Sequence, residues 1–481
     1  MSRTTVGDVV VDGLGRAGVT RVFTVASAES ALLRAFGRHG IDRIAAAGAA
    51  SACVMAAATA ELTNTPGVAL VPTGAGAVAG IMRASDDRSP VVLLTEGAAS
   101  ISGLVHAVKA SLAAEPPSAA HWIAHAVQLA MKHPRGPVHV DVATDAAAVP
   151  VATAVVPPPL PPPDPHALDG AVRLLAAAAR PVVVVGAQCR WEEDATWLRP
   201  FAETLPAPAL VTVKAKGVLP DPHPLVLGLL GLDTSAAVLA KADLVVTVGV
   251  EPVELGEWTP PAAVLHLGPC APEGPLGSAA GHVIGDIGLI LGELAPRLRA
   301  ARRADWDVAE LDRLKRSGAL RAASVTLTAS RVARIAREMT AAGTIAAVDG
   351  GEGMLDLAAA WQATAPREFL APNRLAAAGV ALPAAIAAQL ARPDRAVLAF
   401  TGGAGFEASR AELATVARLE LPVVLLVLAA APPAPTLDTS GALRSATCDG
   451  EGALRPALAA ALAARRPAVL GVRVHAETST V

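Results

Sequence analysis

At 481 residues the chain is too long for one hydrophobic core, so two or three domains are expected. It is 53% hydrophobic but only 2% aromatic, with no tyrosine, so alanine and valine must fill the interior. Forty basic residues against 43 acidic give a net charge of −3 without a long basic stripe, which argues against a nucleic-acid partner.

Thr5–Gly18 places Val6, Val9, Val10 and Leu14 on one face of an amphipathic helix that Gly18 closes. This N-terminus has no apolar core of signal-peptide length and carries Asp8 and Asp12, so a cytoplasmic protein is expected. The four cysteines (Cys53, Cys189, Cys270 and Cys448) are scattered, as buried thiols in a reducing compartment are. Val22–Val25, Ile41–Ala46, Val68–Pro72 and Pro90–Thr95 read as strands, and Glu29–Phe36 and Ser51–Leu62 as helices between them. That alternation predicts a parallel sheet covered on both faces.

Val155–Pro165, VVPPPLPPPDP, has the stiffness of a polyproline II spacer and marks a domain boundary. Beyond it, a helix at Leu168–Ala178 and strands at Pro181–Gly186, Ala209–Val213, Leu244–Val248 and Val264–Leu267 form a second α/β unit. Glu293–Ser317, dense in charge, reads as a single solvated linker helix. A third unit starts near Ser324, and its strand Thr344–Val348 runs into Asp349-Gly350-Gly351-Glu352-Gly353. Ala396–Phe400 is apolar on both faces, like a buried parallel strand. A glycine-rich turn (Thr401–Gly405), a helix over about Ala408–Leu419 and a strand at Val423–Leu428 follow. Gly402, Gly403 and Gly405 suit a turn that offers backbone N–H groups to an anion. Leu421–Thr436 is short and interrupted by four prolines, so no membrane span is expected. The expected units are residues 1–155, 166–300 and 318–481.

The stretch from Ala396 to Ala430 resembles the diphosphate-binding half of the thiamine diphosphate (ThDP) enzymes, in the acetolactate synthase and 2-oxo-acid decarboxylase branch. Phe406, Glu412-Leu413, Thr415, Arg418 and Leu421-Pro422-Val423 stand in register with that family's motif, which opens Gly-Asp-Gly-Ser and closes Asn-Asn. The motif's aspartate falls on Gly403, its next glycine on Ala404 and its closing asparagine on Ala430. Leu62–Val68, the Thr73–Gly76 turn, Ser89–Val92 and Gly136–Asp141 resemble the family's pyrimidine-binding domain, whose His-Glu pair lands on Gly48-Ala49. Val213–Pro220 resembles the central domain. Gly379–Ala385 resembles a segment whose large apolar residue, here Ala378, props the cofactor into its bent shape.

The resemblance implies an α/β fold of three doubly wound parallel-sheet domains, with ThDP and Mg²⁺ as cofactors. It also implies a homodimer or tetramer whose sites are shared between subunits. Gly351, Glu352 and Gly353, with Gly402, Gly403, Ala404 and Gly405, would surround the diphosphate. The chemistry at the mapped positions is missing, however. Ala49 has no carboxylate for the pyrimidine and Ala378 has no bulk. Gly403 and Ala430 offer at most carbonyls where Mg²⁺ wants hard oxygen ligands. Glu407 is a weak substitute ligand, and Glu352 without a metal would repel a diphosphate. The expected reading is an acetolactate-synthase-like protein whose degenerate site serves a small ligand or a partner. The alternative is an atypical ThDP-dependent lyase or carboligase acting on a 2-oxo acid.

Three weaker signals have plainer readings. Gly74–Gly80 looks like a dinucleotide fingerprint but is one residue too long. His121 and His125, with His133 beyond, lack a third zinc ligand and read as a surface helix. Cys53 has no histidine near it in sequence and reads as a small buried residue.

Overall fold

The continuous apolar runs become the inner strands of three separate sheets, because a strand covered on both faces has no polar side to show. The computed structural model describes the chain outside residues 1–3, 26–29, 73, 98–102, 145, 147–158, 257, 277–278, 299–303, 322–326, 352, 374–376, 433–442 and 476–481. The first sheet comprises β1 (Arg21–Val25), β2 (Asp42–Ala46), β3 (Gly67–Leu70), β4 (Val91–Glu96), β5 (Ser111–Ala114) and β6 (Val138–Val142). The second comprises β7 (Pro181–Val185), β8 (Ala209–Val211), β9 (Val226–Leu229), β10 (Leu244–Val248), β11 (Ala263–Gly268) and β12 (Gly281–Ile284). The third comprises β13 (Ile345–Val348), β14 (Phe369–Leu370), β15 (Val397–Gly402), β16 (Val423–Ala429), β17 (Arg444–Cys448) and β18 (Ala468–Arg473).

The orders are β2-β1-β3-β4-β6-β5, β12-β11-β10-β7-β8-β9 and β14-β13-β15-β16-β18-β17. Within each sheet the strands pair in parallel, for example β1 with β3 and β15 with β16. The first and third sheets are therefore wound identically, while the middle one has the doubly wound order 3-2-1-4-5-6.

The matching windings put two helices in equivalent places. Ala49–Thr63 follows β2, Ala381–Ala391 follows β14, and the two pack against each other. Both are rich in alanine and buried almost all round, so they join the first and third units in one core that includes Met55, Ile81, Ile386 and Leu425. Close approach also accounts for the last glycine of the apparent dinucleotide fingerprint. A Cβ on Gly80 would sit 2.5 Å from the Ala50 carbonyl oxygen, so this glycine serves helix packing.

Two expectations need correction. The single charged linker helix is in fact two helices, Ile287–Leu298 and Val308–Arg321. Ile290, Leu291 and Leu294 are buried in the middle-unit core, so the first of these belongs to the middle unit rather than to a linker. The glycine-rich turn is also not a separate turn. Thr401 and Gly402 extend β15, and Gly403 begins a helix of only seven residues, Gly403–Ser409. A 3-10 turn, Arg410–Glu412, separates it from the helix Leu413–Arg418.

Of the proline run, residues 155–158 lie outside the described residues. The prolines that follow lead to Asp164, which caps the helix Pro165–Ala177. At the seam of the first and middle units, Trp191 is 2% exposed. The guanidinium groups of Arg135 and Arg190 lie over its ring, 4.1 and 4.7 Å from the ring centroid.

Candidate functional site

In an open parallel sheet a crevice forms at the carboxyl ends of two neighbouring strands whose connections run opposite ways. In the third sheet that point lies between β13 and β15. Gly351 and Gly353 follow β13, Gly402–Gly405 end β15 and open the next helix, and Ala430 follows β16. Ala378 lies before the helix Ala381–Ala391. Its neighbour Gly379 is so close to the helix Gly403–Ser409 that a Cβ there would lie 2.7 Å from the Ala408 Cβ. The mapped diphosphate-side positions thus gather at one end of one sheet, and Gly351, Ala378, Gly402, Gly403, Ala404 and Ala430 are exposed there. Glu352 falls outside the described residues, as does Thr73 of the Thr73–Gly76 turn.

Beneath this rim lies the buried carboxylate of Asp349. Its Oδ1 accepts from the backbone N–H groups of Val380 and Ala381, each at 2.7 Å, and so caps the helix that starts at Ala381. Its Oδ2 accepts from the Thr401 hydroxyl. A Cβ on Gly405 would fall 1.9 Å from that Oδ2, so glycine is required for the chain to pass over the carboxylate. Asp349 is thus engaged inside the protein, below the crevice.

The donor set at the rim is poor for a hard divalent cation. Gly403 and Ala430 have no side-chain oxygen. Glu407 is exposed and pairs at 3.6 Å with Arg410, the residue that follows its helix. Among the described residues, no group of three His, Cys, Asp or Glu side chains could hold a metal ion. The residues present do not fit a magnesium-bridged diphosphate.

Ala49 lies at the matching end of the first sheet, as the first residue of its helix, with Gly48 as a cap that offers no side-chain acceptor. Gly76 lies against it: a Cβ on that glycine would be 3.3 Å from the Ala49 Cβ.

The motif residues that match the family have structural work that sequence alone did not assign. Glu412 Oε1 accepts from the Ala47 N–H at 2.9 Å. Thr415 and Arg418 donate to the Ala45 carbonyl, Arg418 at 2.6 Å. This trio from the third unit grips the chain just before Ala49.

The central-domain motif does similar work. Lys214 Nζ lies 2.7 Å from Glu61 and 3.2 Å from Asp87, both of the first unit, and donates to the Ala371 carbonyl of the third at 2.9 Å. Asp87 also accepts from Arg83 and from the Asn373 N–H. Lys216 holds Asp221, which accepts from the Ala363 N–H. The retained motifs are seams between units.

The weaker signals resolve simply. Burial pushes the Cys53 thiol up to about 12, which leaves it an unreactive filler. The rings of His121 and His125 stack 6.2 Å apart on a helix face that includes exposed positions. Burial, aided by Arg135, Arg190 and Lys109, lowers His133 to about 3; the residue is half-buried and lies past the end of that helix, which stops at Met131.

Three family models match the chain in order. They are "Thiamine pyrophosphate enzyme, N-terminal TPP binding domain" over residues 4–114, its "central domain" over 168–294 and its "C-terminal TPP binding domain" over 349–429. The "Probable 2-ketoarginine decarboxylase" of Pseudomonas aeruginosa is 30% identical over 459 residues, covering 88% of this chain and 81% of that protein. The "Acetolactate synthase" of Bacillus subtilis is 26% identical over 460 residues, covering 87% and 80%. The "Acetolactate synthase isozyme 1 large subunit" of Escherichia coli is 28% identical over 291 residues, 55% of this chain and 48% of the relative, so that match spans about half its length. Among solved structures, a "putative thiamin diphosphate-dependent enzyme" from Mycobacterium smegmatis has the same fold, with a TM-score of 0.80 at 23% identity over 98% of this chain and 99% of that one.

Proposed function

The chain belongs to the thiamine pyrophosphate enzyme family, and from that premise we propose that it keeps the family's scaffold without its standard chemistry. In this reading it is an acetolactate-synthase-like protein, cytoplasmic and at least dimeric, whose crevice between β13 and β15 takes another small ligand or a partner. The supporting observation is the donor set: Gly403 and Ala430 where metal ligands are needed, Glu407 turned to Arg410, and Asp349 spent on capping a helix. Ala49 and Ala378 remove the pyrimidine's carboxylate and the cofactor's prop in the same stroke. A phosphate-rich cofactor has little to hold it there, since a first helix of seven residues is a weak anion seat.

The relative named as a 2-ketoarginine decarboxylase, similar over most of both chains, favours a second reading. In it the chain is an atypical ThDP-dependent lyase or carboligase on a 2-oxo acid, with the diphosphate on backbone amides of Gly402, Gly403 and Ala404. Melting the protein with ThDP, with and without Mg²⁺, separates the two. A ligand at a hundred times its dissociation constant adds about 2.7 kcal/mol of stability. No shift is expected; a metal-dependent rise in melting temperature overturns the first reading.

A further inference from the structure

The Gly136–Asp141 stretch carries side chains that the cleft does not use. Ser111 opens β5 at the edge of the first sheet, in register with His139 of β6. Thr95 of β4 is in register with Asp141, two residues along β6 from His139 and on the same face. Three hydrogen bonds join these four side chains in a row. Ser111 Oγ lies 2.8 Å from His139 Nδ1, His139 Nε2 lies 2.9 Å from Thr95 Oγ1, and Thr95 Oγ1 donates to Asp141 Oδ1 at 2.7 Å.

The direction of the row follows from counting hydrogens. Thr95 has one hydroxyl hydrogen, and an ionised carboxylate can only accept, so that hydrogen goes to Asp141. Thr95 must then accept from His139, which puts the ring hydrogen on Nε2. Nδ1 is left as the acceptor, and Ser111 is its donor. The imidazole is 2% exposed, and burial lowers its pKa, with Asp141 opposing the shift, so the ring is neutral and able to take a proton. Ser111, by contrast, is exposed. The register also turns two backbone amides outward. His139 N–H bonds Ala110 O and Ala143 N–H bonds Ala114 O, so the alternate residues Ser111 and Ala113 direct their N–H groups to the open edge. A nucleophile, a base of the right tautomer, a half-buried acid behind it and nearby amide donors are the parts of acyl transfer.

We propose that Ser111 is a second reactive centre of this chain, a nucleophile toward carboxylic esters, with His139 as its general base and Thr95 as a positioning residue that links the base to Asp141. The Ser111 oxygen attacks the ester carbonyl carbon while its proton passes to His139 Nδ1. The bond to the alcohol then breaks and the alcohol leaves with that proton. Water attacks the acyl-serine in turn, giving a proton to Nδ1, and the acid departs as the proton returns to Ser111. No oxidant or cofactor enters the balance.

Full-length protein treated with a fluorophosphonate, and separately with p-nitrophenyl acetate, tests this. The phosphonate should bond to Ser111 Oγ with loss of fluoride, mapped by mass spectrometry of peptides, and the ester should release p-nitrophenol. Ser111→Ala, at an exposed position, should abolish both. Thr95→Val should slow labelling at least about tenfold, and Thr95→Ser should restore it. Absence of an adduct on wild-type Ser111, or unchanged ester cleavage in Ser111→Ala, overturns the proposal. Labelling of Thr95→Val at the wild-type rate overturns the relay.

Discussion

The helices Ala49–Thr63 and Ala381–Ala391 occupy equivalent places in identically wound sheets, yet buried charge holds them at opposite ends. The first is fixed near its C-terminal end, where Glu61 meets Lys214, and its N-terminal end carries only Gly48. The second is fixed at its N-terminal end by Asp349. One winding therefore supports two different helix starts: one at Gly48 with no side-chain cap, beside Ala49, and one capped by the protein's own carboxylate. The difference teaches that a shared topology fixes where a crevice lies but not what fills it.

The strongest way to break the contrast is Lys214→Met. It takes the nearest cation from Glu61 and leaves Asp87 with Arg83 alone as a cation, both carboxylates being 4% exposed or less at the side chain. Loss of one partner of such a pair costs about 3–5 kcal/mol, read as a lower urea midpoint. Asp349→Ala acts at the other helix. It leaves the Val380 and Ala381 N–H groups and the Thr401 hydroxyl without their acceptor. A loss of about 2–3 kcal/mol in the same titration is expected, and an unchanged midpoint would mean that water replaces the carboxylate. Gly48→Ser should sharpen the contrast by making the first helix more like the second. Gly48 already has the extended backbone of an N-cap, and a Cβ there meets nothing within 4 Å. The gain should be small, about 0.3 kcal/mol, visible as a slightly higher midpoint.

Much of the architecture is readable from the chain alone. Pro181–Val185 and Leu244–Val248 are buried along their whole length, and such strands can only be apolar runs. Strands at or near sheet edges escape this reading. Ser111–Ala114 is short, half-exposed and of low β-propensity, and it becomes a strand only because β6 is beside it. At the start of the linker stretch, charge from Arg297 on hides the end of a helix, Ile287–Leu298, whose Ile290, Leu291 and Leu294 are buried. At the site, residue types at the mapped positions are plain in the sequence. The uses of Glu412, Lys214 and Asp349 are not, since their partners come from other units or from a later turn of the chain.

Trp191 offers a consequence of a more optical kind. With six tryptophans and no tyrosine, the chain's ultraviolet emission is indole light without phenol transfer. Arg135 comes from the first unit and Arg190 from the middle one, so the ring that both touch marks their junction. Parting that junction would wet the indole and remove one neighbouring cation, and the protein's own glow should then move to longer wavelength before the sheets themselves come apart.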